Sequence, residues 1–286
     1  MKLLLVYNPT TYGYQDRLDL YEKAAEERGV QMVPISFFDF NDSLKIKTLN
    51  SSPHYLTRLG YPSRHKLIEI LNENSISEFD SFFDFFSCDS SFDYNLKRLG
   101  INGLKTISKK LFKSYHLCLK SVVEYLGGFP IIIKRTGLSK GEGVFKVDSL
   151  DQLEHMVNLF DVENYNYSFK EFYPHHSQGR YITVDKEFVG GHLNIVGEDF
   201  RSNVGDNSIR KRQNYEFDQE VKDYVKVIDS QLVSNFSGYD ILFGNDDTFL
   251  ACEKNAPCNF VMTQKMTGID IAGSLLDSLI SKKKML

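Results

Sequence analysis

GFPIIIKRTGLSKGEGVFKV, residues 128–147, decides how the chain is read. A β-branched run ends at Lys134, a loop with Gly137, Gly141 and Gly143 follows, and a second apolar run closes the segment. A G-x-x-x-x-G-K-[ST] loop opens a helix, and a dinucleotide G-x-G-x-x-G lies between strand and helix; neither spacing occurs here. The pattern is strand, glycine-rich turn, strand. In such a hairpin the backbone N–H groups can close over phosphate oxygens, because glycine has no Cβ to hold them away, and Lys134 brings positive charge from the strand. On its own residues the segment reads equally well as a plain hairpin turn.

A second constellation lies in GYDILFGNDDTFLACEKNAPCNF, residues 238–260. With the turn over residues 245–248, antiparallel pairing sets Asp240 directly across from Glu253. Alternation puts Asn255 on the face of Glu253, so Asp240, Glu253 and Asn255 converge at one end of the ribbon. Facing carboxylates repel by a few tenths to about 1 kcal/mol unless a cation sits between them, and these are the hard oxygen donors that magnesium takes. A solvated acidic hairpin is the alternative, and the apolar run Tyr239, Ile241, Leu242 and Phe243 speaks for burial instead. Asp246 and Asp247 belong to the turn. A lysine and glycine lid beside a two-carboxylate, one-amide metal site is suited to using a nucleoside triphosphate, with metal and lysine neutralising the phosphoryl oxygens.

At 286 residues the chain has room for one large domain or two to three small ones. Its formal charge of −4 offers no broad footprint for nucleic acid. Cys88, Cys118, Cys252 and Cys258 are scattered without C-x-x-C or zinc spacing, which implies free thiols in a reducing compartment. No run approaches the roughly 20 apolar residues of a membrane span, and MKLLLVYNPTT reads as a first buried strand, too short for a signal sequence. A cytoplasmic enzyme or binding protein is expected.

QDRLDLYEKAAEERG (15–29) has helical spacing with a terminal glycine, and VQMVPISFFDF (30–40) reads as a strand. With the first strand they make a βαβ-type unit and a small α/β domain over the first hundred residues. HKLIEILNEN (65–74) predicts a helix, and the phenylalanines of residues 78–100 predict core packing. TISKKLFKSYHLCLKSVVEYLGG (106–128) reads as a helix ended by paired glycines. Beyond Phe129, IIIK, GVFKV, RYITV, EFVGGHLNIV, YDILFG and TFLACEKNA predict strands. LDQLEHMVNLF, DQEVKDYVKVIDSQLV and the C-terminal segment predict helices; Lys282–Lys284 suits a helix C-terminus, where the dipole favours cations.

Over residues 105–280 these segments, in this order, resemble the ATP-grasp superfamily and within it the RimK-like carboxylate–amine ligases. The glycine segment looks like the lysine strand and lid, SFKEFY (168–173) like the hinge between two ATP-clasping lobes, and EDFRSNV (198–204) like the Arg-Ser-Asn segment. YDILF, CEKNA and TGIDIAG follow in the family's order. The resemblance implies an α/β (α+β ATP-grasp) fold: a small N-terminal α/β domain (1–104), then two α+β lobes clasping ATP, a central lid subdomain (105–170) and a C-terminal subdomain (171–286) with the metal site.

It further implies ATP and Mg2+ (or Mn2+) as cofactors. Lys134 contacts phosphate, Ser139, Gly141 and Gly143 form the lid, and Glu171 and Phe172 lie in the adenine hinge. Lys110 resembles an earlier phosphate lysine, a register that Lys113 also satisfies. Arg180 faces the acyl phosphate; Arg201, Ser202 and Asn203 lie beside nucleotide and reacting carboxylate; Asp240, Glu253 and Asn255 hold the metal. Two departures matter. Gln178 stands where the family carries a ribose-binding aspartate, and VGDNSIRKRQ (204–213) replaces a His-Arg-Gly-Gly tract, so acceptor specificity differs there. Arg210, Lys211 and Arg212 read as a solvated loop before a carboxylate site, and His175 and His176 as surface residues.

The function implied is an ATP-dependent carboxylate–amine ligase working through an acyl phosphate. The alternatives are a peptide-modifying ligase acting on a ribosomal precursor peptide, a phosphotransferase, or a non-catalytic nucleotide-binding module. A carboxylate and an amine are the expected partners, with neither nucleic acid nor membrane, and the resemblance implies a homodimer or tetramer.

Overall fold

The computed structural model describes residues 2–7, 9, 13–36, 38, 55–57, 89–109, 118–136, 138, 141–197, 199–201, 209–231, 235–255 and 258–283. The expected helix over 65–74 lies outside them. Strand β1 (Lys2–Tyr7), helix α1 (Tyr14–Glu27), β2 (Gln31–Ser36) and β3 (Tyr55–Thr57) build a parallel sheet of order β2-β1-β3. Helix α1 buries Leu18, Tyr21, Ala24 and Ala25 on one face. It ends where Gly29 takes φ 62, with Gly29 N donating to Glu26 O at 3.1 Å and Val30 N to Ala25 O at 2.9 Å. That is the double hydrogen bond of a Schellman cap.

Helix α2 (Asp89–Arg98) leads into a four-stranded antiparallel sheet of order β4-β7-β5-β6: β4 (Thr106–Ser108), β5 (Ile131–Arg135), β6 (Val144–Val147) and β7 (Tyr167–Glu171). Phe92 of α2 is 1% exposed and packs in the core, whereas Tyr94 is 68% exposed; the other phenylalanines of residues 78–100 lie outside the described residues. The long helix expected over 106–128 is shorter: Thr106–Ser108 is a strand, and α3 runs only over Leu119–Leu126. The β-branched Thr106 and Ile107 complete the open edge of β7, Ile107 facing Phe169, and that pairing outweighs the local helical pattern. Helices α3 and α4 (Leu150–Val162) back the sheet, burying Ile131, Ile133, Leu153, Phe160 and Phe169. The glycine loop joins β5 to β6 as an antiparallel hairpin, Lys134 opposite Val144.

The remaining chain forms a five-stranded antiparallel sheet, order β10-β9-β8-β11-β12, from β8 (Ser177–Val184), β9 (Glu187–Val196), β10 (Ile209–Asn214), β11 (Phe236–Phe243) and β12 (Phe249–Asn255). Arg210, Lys211 and Arg212, read from sequence as a solvated loop, lie in its edge strand β10. Three basic residues in succession hide a strand whose pairing is supplied by β9, Arg212 opposite Asn194. Helix α5 (Gln219–Ser230) covers one face, burying Val221, Val225 and Ile228 with Tyr181, Phe217 and Tyr239. On the other face, Ile182, Val184 and Phe236 pack with α1 and with the C-terminal helix α7 (Ile271–Lys283), which follows the short α6 (Val261–Thr267). The N-terminal unit thus shares a core with the C-terminal sheet. Cys118, Cys252 and Cys258 form no disulfide. Among the described residues no helix is long and apolar enough to cross a membrane.

Gly191 lets Phe217 lie against the sheet. A Cβ there would come within 2.4 Å of the Phe217 ring and 2.6 Å of the Arg180 carbonyl oxygen. Neither neighbour can retreat without moving a strand, so Gly191→Ala is expected to lower stability by about 2–3 kcal/mol. A urea denaturation midpoint equal to that of the wild type would contradict this.

Candidate active site

The β11–β12 hairpin reaches the expected pairing by an unexpected route. Gly244 N donates to Thr248 O at 2.8 Å, closing a three-residue loop over residues 245–247 in which Asp247 has φ 58, the usual left-handed last position of such a loop. Phe243 then faces Phe249, Leu242 faces Leu250 and Ile241 faces Ala251. An uninterrupted ladder would set Asp240 against Cys252. A bulge between Asp240 and Ile241 shifts the register by one, and Asp240 faces Glu253, Tyr239 faces Lys254 and Gly238 faces Asn255. The extra residue re-aims the side chains beyond it, as bulges near functional sites do. The carbonyl of Cys252 accepts from Lys170 Nζ of β7 at 2.8 Å, tying the hairpin to the other sheet.

The charges at this end alternate. Arg180 of β8, paired opposite Asp240, brings Nε to 3.0 Å from Asp240 Oδ1. Lys134 of β5 brings Nζ to 3.4 Å from Glu253 Oε2. Asn255 bridges the pairs: its amide donates to Glu253 Oε1 at 3.2 Å and accepts from Arg180 Nη1 at 3.2 Å. Asp240 is only 2% exposed. Burial pushes its carboxyl up to about 6 and Glu253 adds to the rise, while Arg180, Gln178 and Lys134 pull it down.

Can these residues hold a divalent cation? Two carboxylates and an amide offer hard oxygens from adjacent strands, and the buried Asp240 carboxylate carries its charge at a cost that a cation relieves. Among the described residues no cluster of three or more His, Cys, Asp or Glu could enclose a metal. An ion here would therefore leave positions to oxygens from outside the protein. That fits magnesium, which binds through one or two carboxylates plus substrate phosphates and waters.

Beside the network a cavity of about 130 Å³ opens between the two sheets. Leu104, Ile132, Val144 and Leu242 make its apolar wall, and Lys134, Lys170, Glu171, Gln178, Arg201 and Glu253 supply polar groups. Phe172 and Phe200 meet edge to face at 6.2 Å on its rim. Its lining, an apolar wall with a few converging polar groups, is that of a small-molecule site. Burial pushes the Glu171 carboxyl upward. Arg201 is held by Asp199, with Nε 3.0 Å from each carboxylate oxygen.

Of the residues singled out in the sequence, Lys134, Glu171, Phe172, Gln178, Arg201 and Glu253 share this cavity, and Arg180, Asp240 and Asn255 join Glu253 at its end. Gly141 and Gly143 lie in the β5–β6 turn at φ 72 and 71. A Cβ on Gly143 would come within 2.7 Å of Leu138. Lys110, Lys113, Ser139, Ser202 and Asn203 lie outside the described residues.

His175 is corrected. It lines the cavity, Nδ1 lies 2.8 Å from Tyr173 O, and buried Nε2 finds no partner among the described residues. Burial lowers its pKa. His176 is exposed. Lys170 was missed: it is 8% exposed and lies 3.2 Å from Asp93 of α2. Its only sequence signal was alternation, which sets it opposite Ile132 and two residues from Ser168, the partner of Lys134.

Comparison with known proteins shows the family and the fold. A RimK-like ATP-grasp domain model matches residues 95–279. Beta-citrylglutamate synthase B of Danio rerio is 27% identical over 163 residues, which is 54% of this chain and 38% of that protein, so the match spans well under half of the relative's length. A D-alanine–D-alanine ligase from Bacillus anthracis complexed with ATP superposes with a TM-score of 0.70 at 15% identity, over 98% of this chain and 96% of that one. The macrocyclase MdnC of Microcystis aeruginosa MRC, bound with its precursor peptide MdnA, gives 0.69 at 13% identity over 98% and 100%. With a family model matching well over half of its length and the fold shared along nearly all of it, the chain belongs to the RimK-like ATP-grasp family.

Proposed function

We propose that the protein is an ATP-dependent ligase that joins a carboxylate to an amine through an acyl phosphate, releasing ADP and phosphate. The observation that carries this reading is the alternating network Lys134–Glu253–Asn255–Arg180–Asp240 at the end of the open cavity between the two sheets. The base occupies the apolar wall near Glu171 and Phe172, with the phosphates directed toward Lys134. Asp240, Glu253 and Asn255 would hold magnesium, which would supply charge neutralisation for phosphoryl transfer.

A substrate carboxylate oxygen attacks the γ-phosphorus, the bond to the β-phosphate oxygen breaks, and ADP leaves. Lys134 offsets the charge that grows on the transferred group, and Arg180, oriented by Asp240 and Asn255, is positioned to stabilise the oxyanion at the acyl carbon. The amine then forms the C–N bond; the C–O bond to phosphate breaks with its electron pair on phosphate, and the amine's proton passes to phosphate or solvent. The Gly141–Gly143 turn is the segment that closes over the phosphates and excludes water from the acyl phosphate. No side chain acts as a nucleophile. The reading places the protein in the cytoplasm, where ATP and magnesium are supplied.

Incubation with ATP, magnesium and pooled carboxylates and amines, followed by mass spectrometry, tests it. ADP, free phosphate and a new amide are expected, and hydroxylamine traps the acyl phosphate as a hydroxamate. A stable phosphorylated product would make the protein a phosphotransferase, and ATP binding without turnover a binding module.

The acid side of the pH profile follows from Asp240. A ligand must be deprotonated, and this carboxyl holds its proton up to about 6. Below that pH, protons compete with magnesium, and the magnesium concentration for half-maximal ATP turnover is expected to rise about tenfold per unit. Magnesium titrations at several pH values between 5 and 8 check this; a constant half-saturation would refute it.

A further inference from the structure

The five-stranded sheet has a second face, turned away from the network of Lys134 and Asp240. Alternation along β8 and β11 directs Gln178 and Leu242 to the cavity beside Lys134, and their neighbours Ser177 and Phe243 to the side covered by α5. Where the start of α5 meets the β11–β12 turn, two adjoining cavities of about 430 and 620 Å³ open to solvent, a size range typical of small-ligand sites. They share Glu220, Asp247, Thr248 and Phe249 and so make one continuous trough.

The trough is acidic and aromatic. Asp218 lines the first cavity, Asp223 the second, and Glu220 and Asp247 line both, while no lysine or arginine is among the described residues lining either. Lys222, their neighbour on α5, is drawn to Glu216 at 3.5 Å. Tyr215 and Phe243 meet edge to face at 6.0 Å in the first cavity, and Tyr224 and Phe249 at 5.3 Å in the second. The positive end of the α5 dipole accounts for Glu220 in its first turn. It does not account for Asp247 in the β11–β12 turn or for Asp223, which accepts from Gln219 Nε2 at 2.9 Å. Asp218, at the N-cap, makes no side-chain capping hydrogen bond.

Ser177 adds an observation independent of the charges. It lines the first cavity and is 1% exposed, and its Oγ has no hydrogen-bond partner among the described residues. A buried hydroxyl left unmatched is costly and uncommon, and its oxygen can accept an N–H brought by a ligand. A metal ion does not suit the trough: among the described residues no three His, Cys, Asp or Glu are grouped closely enough to hold one. Carboxylates spread along a trough with aromatic rings between them suit an elongated organic cation. Its ammonium groups meet carboxylates and ring faces, and its methylenes lie along the rings.

We propose that this trough binds a linear aliphatic polyamine. One terminal ammonium donates to Ser177 Oγ and is held by Asp218 and Asp247; a second meets Glu220 and Asp223, with the methylene chain passing Phe249. The site lies on the face of the sheet opposite the ATP cavity, so the polyamine is a ligand in addition to the nucleotide and the substrates of ligation.

The test is calorimetric titration of the full, nucleotide-free chain with spermidine at about 0.15 M salt, where loose surface attraction is largely screened. Saturable binding is expected, with no competition from diacetylspermidine, whose ends carry no charge. The double variant Asp218→Asn, Asp247→Asn should bind about tenfold more weakly or worse, and Ser177→Ala about threefold more weakly. Asp218 and Asp247 are exposed, so their replacement leaves the fold in place. Asp240→Asn should bind as the wild type does, which separates the trough from the candidate metal site. Absence of saturable binding, undiminished affinity in the double variant or in Ser177→Ala, or loss of binding in Asp240→Asn would overturn the proposal. Equal displacement by magnesium at the same concentration would reduce the trough to a diffuse ion atmosphere, and tighter binding of tetralysine than of spermidine would make it a peptide surface; either result also overturns it.

Discussion

Asp240→Asn is expected to lower ATP turnover by about 10³-fold or more while raising the stability of the ligand-free protein. The two directions have one cause. Asp240 is almost fully buried, and burial pushes its carboxyl up to about 6 from an ordinary value of 3.8, in spite of Arg180 at 3.0 Å. A folded-state pKa raised above the unfolded one means that the fold favours the protonated, neutral carboxyl. The stability this contributes is complete below about pH 4 and is lost as pH rises through about 6. At pH 7 the ionised carboxylate is thus held against a cost on the order of 1–3 kcal/mol. An amide of the same shape escapes that cost and loses the charge that attracts a cation. The opposing effect is that Arg180 loses its carboxylate partner. Its side chain keeps 21% of its exposure and its bond to Asn255, which limits that loss. Thermal unfolding without magnesium should give a higher Tm for Asp240→Asn than for wild type at pH 8, with the gap closing at pH 4. A lower Tm at pH 8 would show that the ion pair with Arg180 outweighs desolvation. Turnover within tenfold of wild type would remove Asp240 from the site.

Lys134→Ala should reduce turnover by about 10²–10³-fold, the usual loss for a group that meets charge developing in the transition state, with little change in stability. Lys134 and Glu253 lie 3.4 Å apart with side chains 24% and 28% exposed, and a pair so accessible to water contributes no more than about 1 kcal/mol. In the ligand-free protein each charge has the other as partner. When nucleotide and metal bind, the lysine can turn to phosphate and the carboxylate to the cation, so neither charge is created or buried on binding. Lys134→Arg should not restore turnover, because a planar fork cannot stand in for a compact ammonium at the end of a strand. Steady-state ATP hydrolysis and urea denaturation on the same preparations separate the effects. An alanine variant that unfolds early, or one that turns over normally, contradicts the assignment.

Much of this site could be read from local pattern. Alternation along β11 and β12 put Asp240, Glu253 and Asn255 on one face, and strand, glycine turn, strand around Gly143 distinguished a lid hairpin from a helix-opening phosphate loop. The pairing of Asp240 with Glu253 was nevertheless reached through two offsetting departures: the loop is one residue shorter than expected, and the bulge beside Cys252 adds one residue back. Lys170 and His175 gave no comparable signal. Each is defined by distant neighbours, Lys170 by Asp93 and the Cys252 carbonyl, His175 by the wall of the cavity between two sheets.

Residue order alone determined where the chain forms most of its strands and helices and which face each polar side chain takes, because the two-residue and 3.6-residue periods are local properties of the backbone. Tertiary structure alone decided three further things. Residues 106–108 and 209–214 are edge strands because β7 and β9 offer them hydrogen bonds. Asp240 is held by Arg180, because β8 lies beside β11 in the sheet. Glu253 meets Lys134 because a second sheet faces the first across the cavity. The ionisation of Asp240 belongs to this second group as well. Its carboxyl is identical in any aspartate, and only burial among these partners raises it into the range where a proton and a metal compete.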